Sequence, residues 1–174
     1  TAAIGRSGPK GKALNESDWN SKSKHPYSYA KTEAERRAWE YAKENEMNLV
    51  VMNPTAVIGP YFHRHTPSTI LFDKLLKEEL SILPPQTFGY VDVRDVASLE
   101  VLAMTKPEAA GKRFVCSADN ILMKDQNNYL IGLYPDLAKR IPTRVPPNWF
   151  IKFLSLFMPA LKMTAESVGK VRKM

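Results

Sequence analysis

Residues 47–60, "MNLVVMNPTAVIGP", form an almost unbroken apolar run closed by Gly59–Pro60. A run without polar alternation suits a strand covered on both faces, and in soluble proteins that means a parallel sheet flanked by helices. The residues before it, from Pro26 to Glu46, are good helix formers, with Ala30, Ala34, Ala38 and Tyr41–Ala42 along one stripe. The alternation continues. "PSTILFDKLLKEEL" (67–80) reads as an amphipathic helix with Thr66 or Ser68 as cap, and 88–106 as a short strand that becomes a helix near Val93. "KRFVCSA" (112–118) is a further strand, 123–137 a helix, and 147–158 a last helix opened by Pro146–Pro147. Helices alternating with apolar strands predict an α/β fold with a parallel sheet.

The chain has 174 residues, enough for one domain with a real core. Its one cysteine, Cys116, excludes a disulfide within the chain and suits a reducing cytoplasm. It lies in the apolar run "RFVCSA" and reads as a buried strand residue rather than a nucleophile. No apolar stretch resembles a signal peptide, and the longest, 148–163, is too short to span a bilayer and is interrupted by Lys152 and Pro159. The net charge of +7 comes mostly from 131–174, where eight basic residues face only Asp136 and Glu166. Contact with an anionic membrane or nucleic acid through this quarter is the sharp reading. A solvated helix face with a basic end is the favoured one.

Glycines at 5, 8 and 11 give the Gly-x-x-Gly-x-x-Gly spacing of a dinucleotide turn. Such a turn needs a buried strand before it and an apolar-faced helix after it, so that the helix N-terminus meets the pyrophosphate. Four residues precede Gly5, Pro9 interrupts the triplet, and "KALNESDWNSKSKHP" follows with no apolar stripe. The segment 5–26 is therefore expected to be a long surface loop.

The chemistry lies in "HPYSYAKTEAERRAWEYAKEN" (25–45). Tyr27 and Lys31 are four residues apart, so a helix places them on one face. A free tyrosine, with a pKa of about 10, is a poor acid or base near neutrality, and a nearby ammonium favours its phenolate. Such a pair can protonate a carbonyl oxygen as hydride arrives at its carbon, or deprotonate an alcohol in reverse. Lysine can also hold a ribose by hydrogen bonds. The tetrad alone is common by chance. Tyr29 has Glu33 four residues on and does not compete.

Several ordered blocks add specificity. "YSYAKTEAERRAWEYAKEN" followed by "NPTAVIGP", then "YVDVRDVASLEVLAM", "EAAGKRFVCSADNILMKD" and "IPTRVPPNWFIKFLSLFMP" resemble, in that order, the extended short-chain dehydrogenase/reductase family. The likeness is to its dihydroflavonol-4-reductase-like and aldehyde-reductase-like branch, and it covers nearly the whole chain. It implies the C-terminal part of a Rossmann-type parallel sheet plus a smaller, mostly helical substrate-binding region. Residues 1–60 and 88–106 would belong to the Rossmann-like part with the active-site helix, and 61–87 and 107–174 to the substrate-binding part. Tyr27 would be the acid/base, and Lys31 its partner and ribose ligand. Pro54, Thr55, Ala56 and Val57 would line the nicotinamide through backbone groups, and Ser68 would stand near the pyrophosphate side of the cofactor. That cofactor would be NADP, or NAD.

The implied function is NAD(P)H-dependent reduction of a ketone or aldehyde in the cytoplasm. Open alternatives are a sugar-nucleotide epimerase or dehydratase, a 3β-hydroxysteroid dehydrogenase-like enzyme, and a non-catalytic nucleotide-binding member. A homodimer is an open assembly. The family's catalytic serine is expected one residue before Thr1; the other alignment has Ala2 and Ala3 in place of the family's serines. The family's own glycine triplet would lie far upstream. The chain therefore reads as a C-terminal fragment, inactive alone. The remaining residues carry plainer readings. His25, His63 and His65 read as polar loop residues rather than a metal site, since His63 and His65 are only two apart and no Cys or carboxylate partner is evident. Glu33 and Glu35 read as solvated carboxylates with Glu33 paired to Arg37, and Trp39 and Tyr41 as packing residues. Asp92, Arg94 and Asp95 would tie a sheet strand to its neighbours. Trp149, Phe150, Phe153 and Phe157 suit a cover for an apolar substrate and core packing equally.

Overall fold

The computed structural model describes residues 2–5, 13–80, 83 and 85–157. In chain order these form α1 (Pro26–Glu44), β1 (Val51–Pro54), β2 (Ala56–Ile58), α2 (Pro67–Leu76), β3 (Thr87–Asp92), α3 (Val93–Thr105), β4 (Arg113–Cys116), β5 (Asp119–Leu122), α4 (Met123–Leu133) and α5 (Asn148–Phe157). The chain divides into two compact units, one containing Thr1–Pro60 and Gly89–Asp119, the other Tyr61–Phe88 and Asn120–Val171. The α/β class expected from the alternation is the one observed. β1 pairs with β4 in parallel, Met52 opposite Phe114, and β2 pairs with β3 in parallel, Val57 opposite Val91.

The apolar run at 47–60 is not one buried strand. It contributes β1 to one strand pair and β2 to another, and most of its residues are half-buried. The reason lies at its centre. Pro54 has no N–H to donate, and Thr55 spends both its N–H (2.9 Å) and its hydroxyl (3.1 Å) on the Cys116 carbonyl. That closes the ladder with β4, and Ala56 begins a new one with Tyr90. Val91, Val96 and Cys116 form the buried cluster of this unit, with Met52 and Val57 packed against it.

Helix α1 also differs from its expected face. Of the stripe, Ala42 is buried but Ala30, Ala34, Ala38 and Tyr41 are exposed, and the other buried residues are Ser28, Thr32 and Glu35. A polar face can be buried when its groups are satisfied. The Thr32 hydroxyl donates to the Ser28 carbonyl at 2.8 Å, and Glu35 is ion-paired. Pro26 opens the helix at its first position, where a missing N–H costs nothing. Asn45 closes it with both its backbone and side-chain N–H groups on the Tyr41 carbonyl.

The remaining elements follow the pattern with shifted ends. α2 stops at Leu76, followed by Glu78 in the left-handed region at φ 61°. α4 stops at Leu133, because the residue before Pro135 is pushed out of the helical region, and a 3-10 turn, Pro135–Lys139, follows. The short strand β5 was not foreseen. Of the expected loop 5–26, Gly8 and Gly11 lie outside the described residues. Its described part is not wholly superficial: Gly5 and Leu14 are buried, and a Cβ on Gly5 would stand 3.1 Å from Leu14 Cδ1. The basic residues Lys162, Lys170, Arg172 and Lys173 also lie outside the described residues.

Candidate active site

Tyr27 occupies the first turn of α1 and Lys31 the next, as the four-residue spacing requires. The Lys31 Nζ lies 6.0 Å from the centroid of the Tyr27 ring, the outer reach of a cation–aromatic contact. Tyr27 is 60% exposed, so its phenol is open to a bound molecule. Just ahead of it, His25 Nδ1 is buried without a hydrogen-bond partner. The donors exposed here, the Lys31 ammonium with three N–H bonds and the Tyr27 phenolic O–H, suit a polyhydroxylated group such as a ribose.

Pro54–Val57 spans the junction of β1 and β2, fixed by the two Thr55 bonds to Cys116. Ser68 lies half-buried in the first turn of α2, in the second unit. It is not the helix cap. That role belongs to Thr66, which forms a reciprocal capping box with Thr69.

Between α1 and the β1–β4 pair stands a group of residues that the sequence reading placed elsewhere. Glu35 is not solvated; it is 7% exposed. Its Oε1 accepts from Arg113 Nε at 2.6 Å and from Trp39 Nε1 at 3.3 Å. Its Oε2 accepts from Arg113 Nη2 at 3.1 Å and from Asn53 Nδ2 at 3.2 Å. The Arg113 Nη1 donates to the carbonyls of Glu16 and Asp18, both at 2.9 Å, and the guanidinium stacks 3.7 Å from the centroid of Trp19. Trp39 thus serves as a hydrogen-bond donor as well as a packing residue. The sequence carries only unspecific marks of this group, a carboxylate one turn beyond Lys31 and an arginine heading an apolar strand, and neither names the other as its partner.

Other expectations resolve locally. Glu33 pairs with Arg36 (3.8 Å) and Arg37 with Glu40 (2.7 Å), both at three-residue spacing, in place of Glu33 with Arg37. Asp92 ties β3 to the start of α3, not to neighbouring strands. It caps α3 through the Arg94 N–H and accepts from the Arg94 guanidinium at 2.8 and 2.9 Å. Those bonds hold its carboxyl at about 2. Cys116 is buried, and burial pushes its thiol up, away from nucleophilic character. His63 and His65 are exposed, and His65 Nε2 lies 4.0 Å from Asp73 Oδ1. Among the described residues no group of three or more His, Cys, Asp and Glu side chains is placed to hold a metal ion, and no helix is long and apolar enough to cross a membrane. On α5, Trp149, Phe153 and Phe157 are exposed and Phe150 is half-buried, with ring centroids 5.7 Å apart for Trp149 and Phe150 and 5.4 Å for Phe153 and Phe157.

A model of the NAD dependent epimerase/dehydratase family matches residues 1–117. The chain is 40% identical over 111 residues to tetraketide alpha-pyrone reductase 2 of Arabidopsis thaliana, a match covering 60% of this chain and 34% of that protein. It is 34% identical over 170 residues to cinnamoyl-CoA reductase 1 of Petunia hybrida, covering 90% of this chain and 50% of that protein. Among solved structures, yeast methylglyoxal/isovaleraldehyde reductase Gre2 complexed with NADPH superposes with a TM-score of 0.70 at 28% identity, over 83% of this chain and 49% of that one. The matched region spans from a third to a half of the length of these relatives.

Proposed function

The chain belongs to the NAD dependent epimerase/dehydratase family, within the extended short-chain dehydrogenases/reductases, and from that membership we propose that the whole protein reduces a small ketone or aldehyde using NADPH. The carrying observation is the Tyr27–Lys31 pair, adjacent on α1 and open to solvent. Reductase relatives, one of them solved with NADPH, support the reaction class and the cofactor.

The cofactor, when bound, supplies the hydride. Tyr27 Oη delivers a proton to the carbonyl oxygen, and Lys31 keeps a cation beside the phenolate left behind. The Lys31 ammonium also has N–H donors for ribose hydroxyls. The backbone of Pro54–Val57 lines the nicotinamide side, and Ser68 serves the pyrophosphate side. In this reading residues 1–60 and 88–106 are the Rossmann-like part, joined by β4 through its pairing with β1, and 61–87 with the rest of 107–174 the substrate-binding part. The single, buried Cys116 supports a cytoplasmic setting.

The test is NADPH oxidation by the full-length protein against a panel of aldehydes and ketones. Tyr27→Phe is expected to lower kcat by at least about a hundredfold while NADPH still quenches protein fluorescence. An unaffected kcat in that variant, or no carbonyl-dependent oxidation by the wild type, overturns the reading. Turnover of a nucleotide sugar without net NADPH consumption would replace it with the epimerase alternative.

A further inference from the structure

We propose that the buried Glu35–Arg113 pair is a positioning device for Tyr27 and Lys31: it fixes the rotation and axial register of α1 on the β1–β4 pair. The role of the two positioned residues rests on the function proposed above; the device itself rests on geometry.

Helix α1 has little apolar grip. Its buried face is Ser28, Thr32, Glu35 and Ala42, and a face so poor in apolar area does not by itself select one rotation about the helix axis. The Glu35 carboxylate does. Arg113 meets it as a fork, Nε on one oxygen and Nη2 on the other, and two parallel bonds fix direction as well as distance. Trp39 and Asn53 take further lone pairs on the same carboxylate. A one-residue slip turns a helix by about 100° and would break all four contacts.

The far side of the fork is equally fixed. Arg113 is held by two loop carbonyls and the Trp19 ring, and both side chains of the pair are about nine-tenths buried. A buried pair is weak evidence of stability. The use of every oxygen and a rigid fork is instead what positioning requires. Glu35 stands one turn beyond Lys31, about 6 Å along the axis, and about 12 Å beyond Tyr27. Asn53, which shares the carboxylate, is the residue before Pro54. One carboxylate therefore references the dyad helix and the Pro54–Val57 backbone to each other.

The test uses the full-length protein with Glu35→Gln, Arg113→Lys and the milder Trp39→Phe, and two readouts. One is the kcat and KM for NADPH-dependent reduction of the wild type's best carbonyl substrate. The other is the NMR resonance of Tyr27 labelled at 13Cζ, assigned with Tyr27→Phe. The fork predicts that folded Glu35→Gln and Arg113→Lys lose about ten- to a hundredfold in kcat, with KM changed less than about threefold, and that both move the Tyr27 resonance. Arg113→Lys keeps the charge and loses the fork, so full kcat in that variant overturns the proposal. So does a rise in KM with kcat retained, or an unmoved Tyr27 resonance in folded variants. Should Glu35→Gln fail to fold, Arg113→Lys and Trp39→Phe decide by the same criteria. Should the wild type reduce no carbonyl, the proposed function falls alone, and the Tyr27 resonance still decides the positioning role.

Discussion

Single residues carry different weights that composition does not reveal. Gly59 has φ of 132°, and a Cβ there would lie 3.0 Å from Val93 Cγ1 and 3.2 and 3.3 Å from the two Asp92 carboxylate oxygens. Gly111 also has positive φ, at 72°, but a Cβ there meets nothing within 4 Å. Gly111→Ala is therefore expected to cost about 1 kcal/mol, from backbone conformation alone. Gly59→Ala adds a clash and is expected to cost about 2–3 kcal/mol. Urea unfolding of the two variants checks the order, and equal midpoints would contradict it. Tyr90 offers a second residue-scale outcome. It is buried, and burial pushes its phenol up to about 12. A folded-state value raised above the unfolded value of about 10 gives stability that is complete below pH 10. That stability is lost as the pH rises from about 10 towards 12. The melting temperature should fall across that window, and less steeply in Tyr90→Phe.

At the scale of elements, the starts were more legible than the ends. Pro26, Thr66–Pro67 and Asp92 each mark a helix start in the sequence, because capping and proline act within a few residues. Ends depended on what the chain met next, as at Tyr134 before Pro135 or Glu78 in its left-handed conformation. For α2 the structure separates two candidate caps. Thr66→Ala removes the capping box and is expected to cost about 1 kcal/mol, whereas Ser68→Ala should stay within about 0.5 kcal/mol. Thermal unfolding of the two variants distinguishes them. The opposite order would return the cap to Ser68. Strand pairing was least legible: nothing in "NPTAVI" announces that Thr55 will close one ladder so that Ala56 can open another.

At the scale of the molecule, one long-range pair brings together segments that are far apart in sequence. Arg113 is 78 positions from Glu35, and its fork joins α1 to β4 while it also grips the carbonyls of Glu16 and Asp18. Removing one member leaves a charge in a site made for two. Arg113→Met is expected to cost about 3–5 kcal/mol, and the double variant Glu35→Leu/Arg113→Met to recover a substantial part of that loss. Chemical denaturation of the single and double variants measures the difference. Simple additivity would show that the two groups do not depend on each other.

The sequence by itself determined the α/β class, the order of the helices and main strands, and the pairing of Tyr27 with Lys31. Each of these rests on interactions between residues close along the chain: strand apolarity, helical spacing, caps and prolines. Its ordered blocks also carried the family likeness. Tertiary structure alone decided which face of α1 is buried. The alanine stripe looks like the inner face because propensity and periodicity count apolar side chains, yet the helix turns Ser28, Thr32 and Glu35 inward. That choice becomes favourable only when Arg113, Asn53 and Trp39 arrive to satisfy the carboxylate. A buried charge depends on partners that the fold brings from distant positions, so periodicity within one helix could not reveal it.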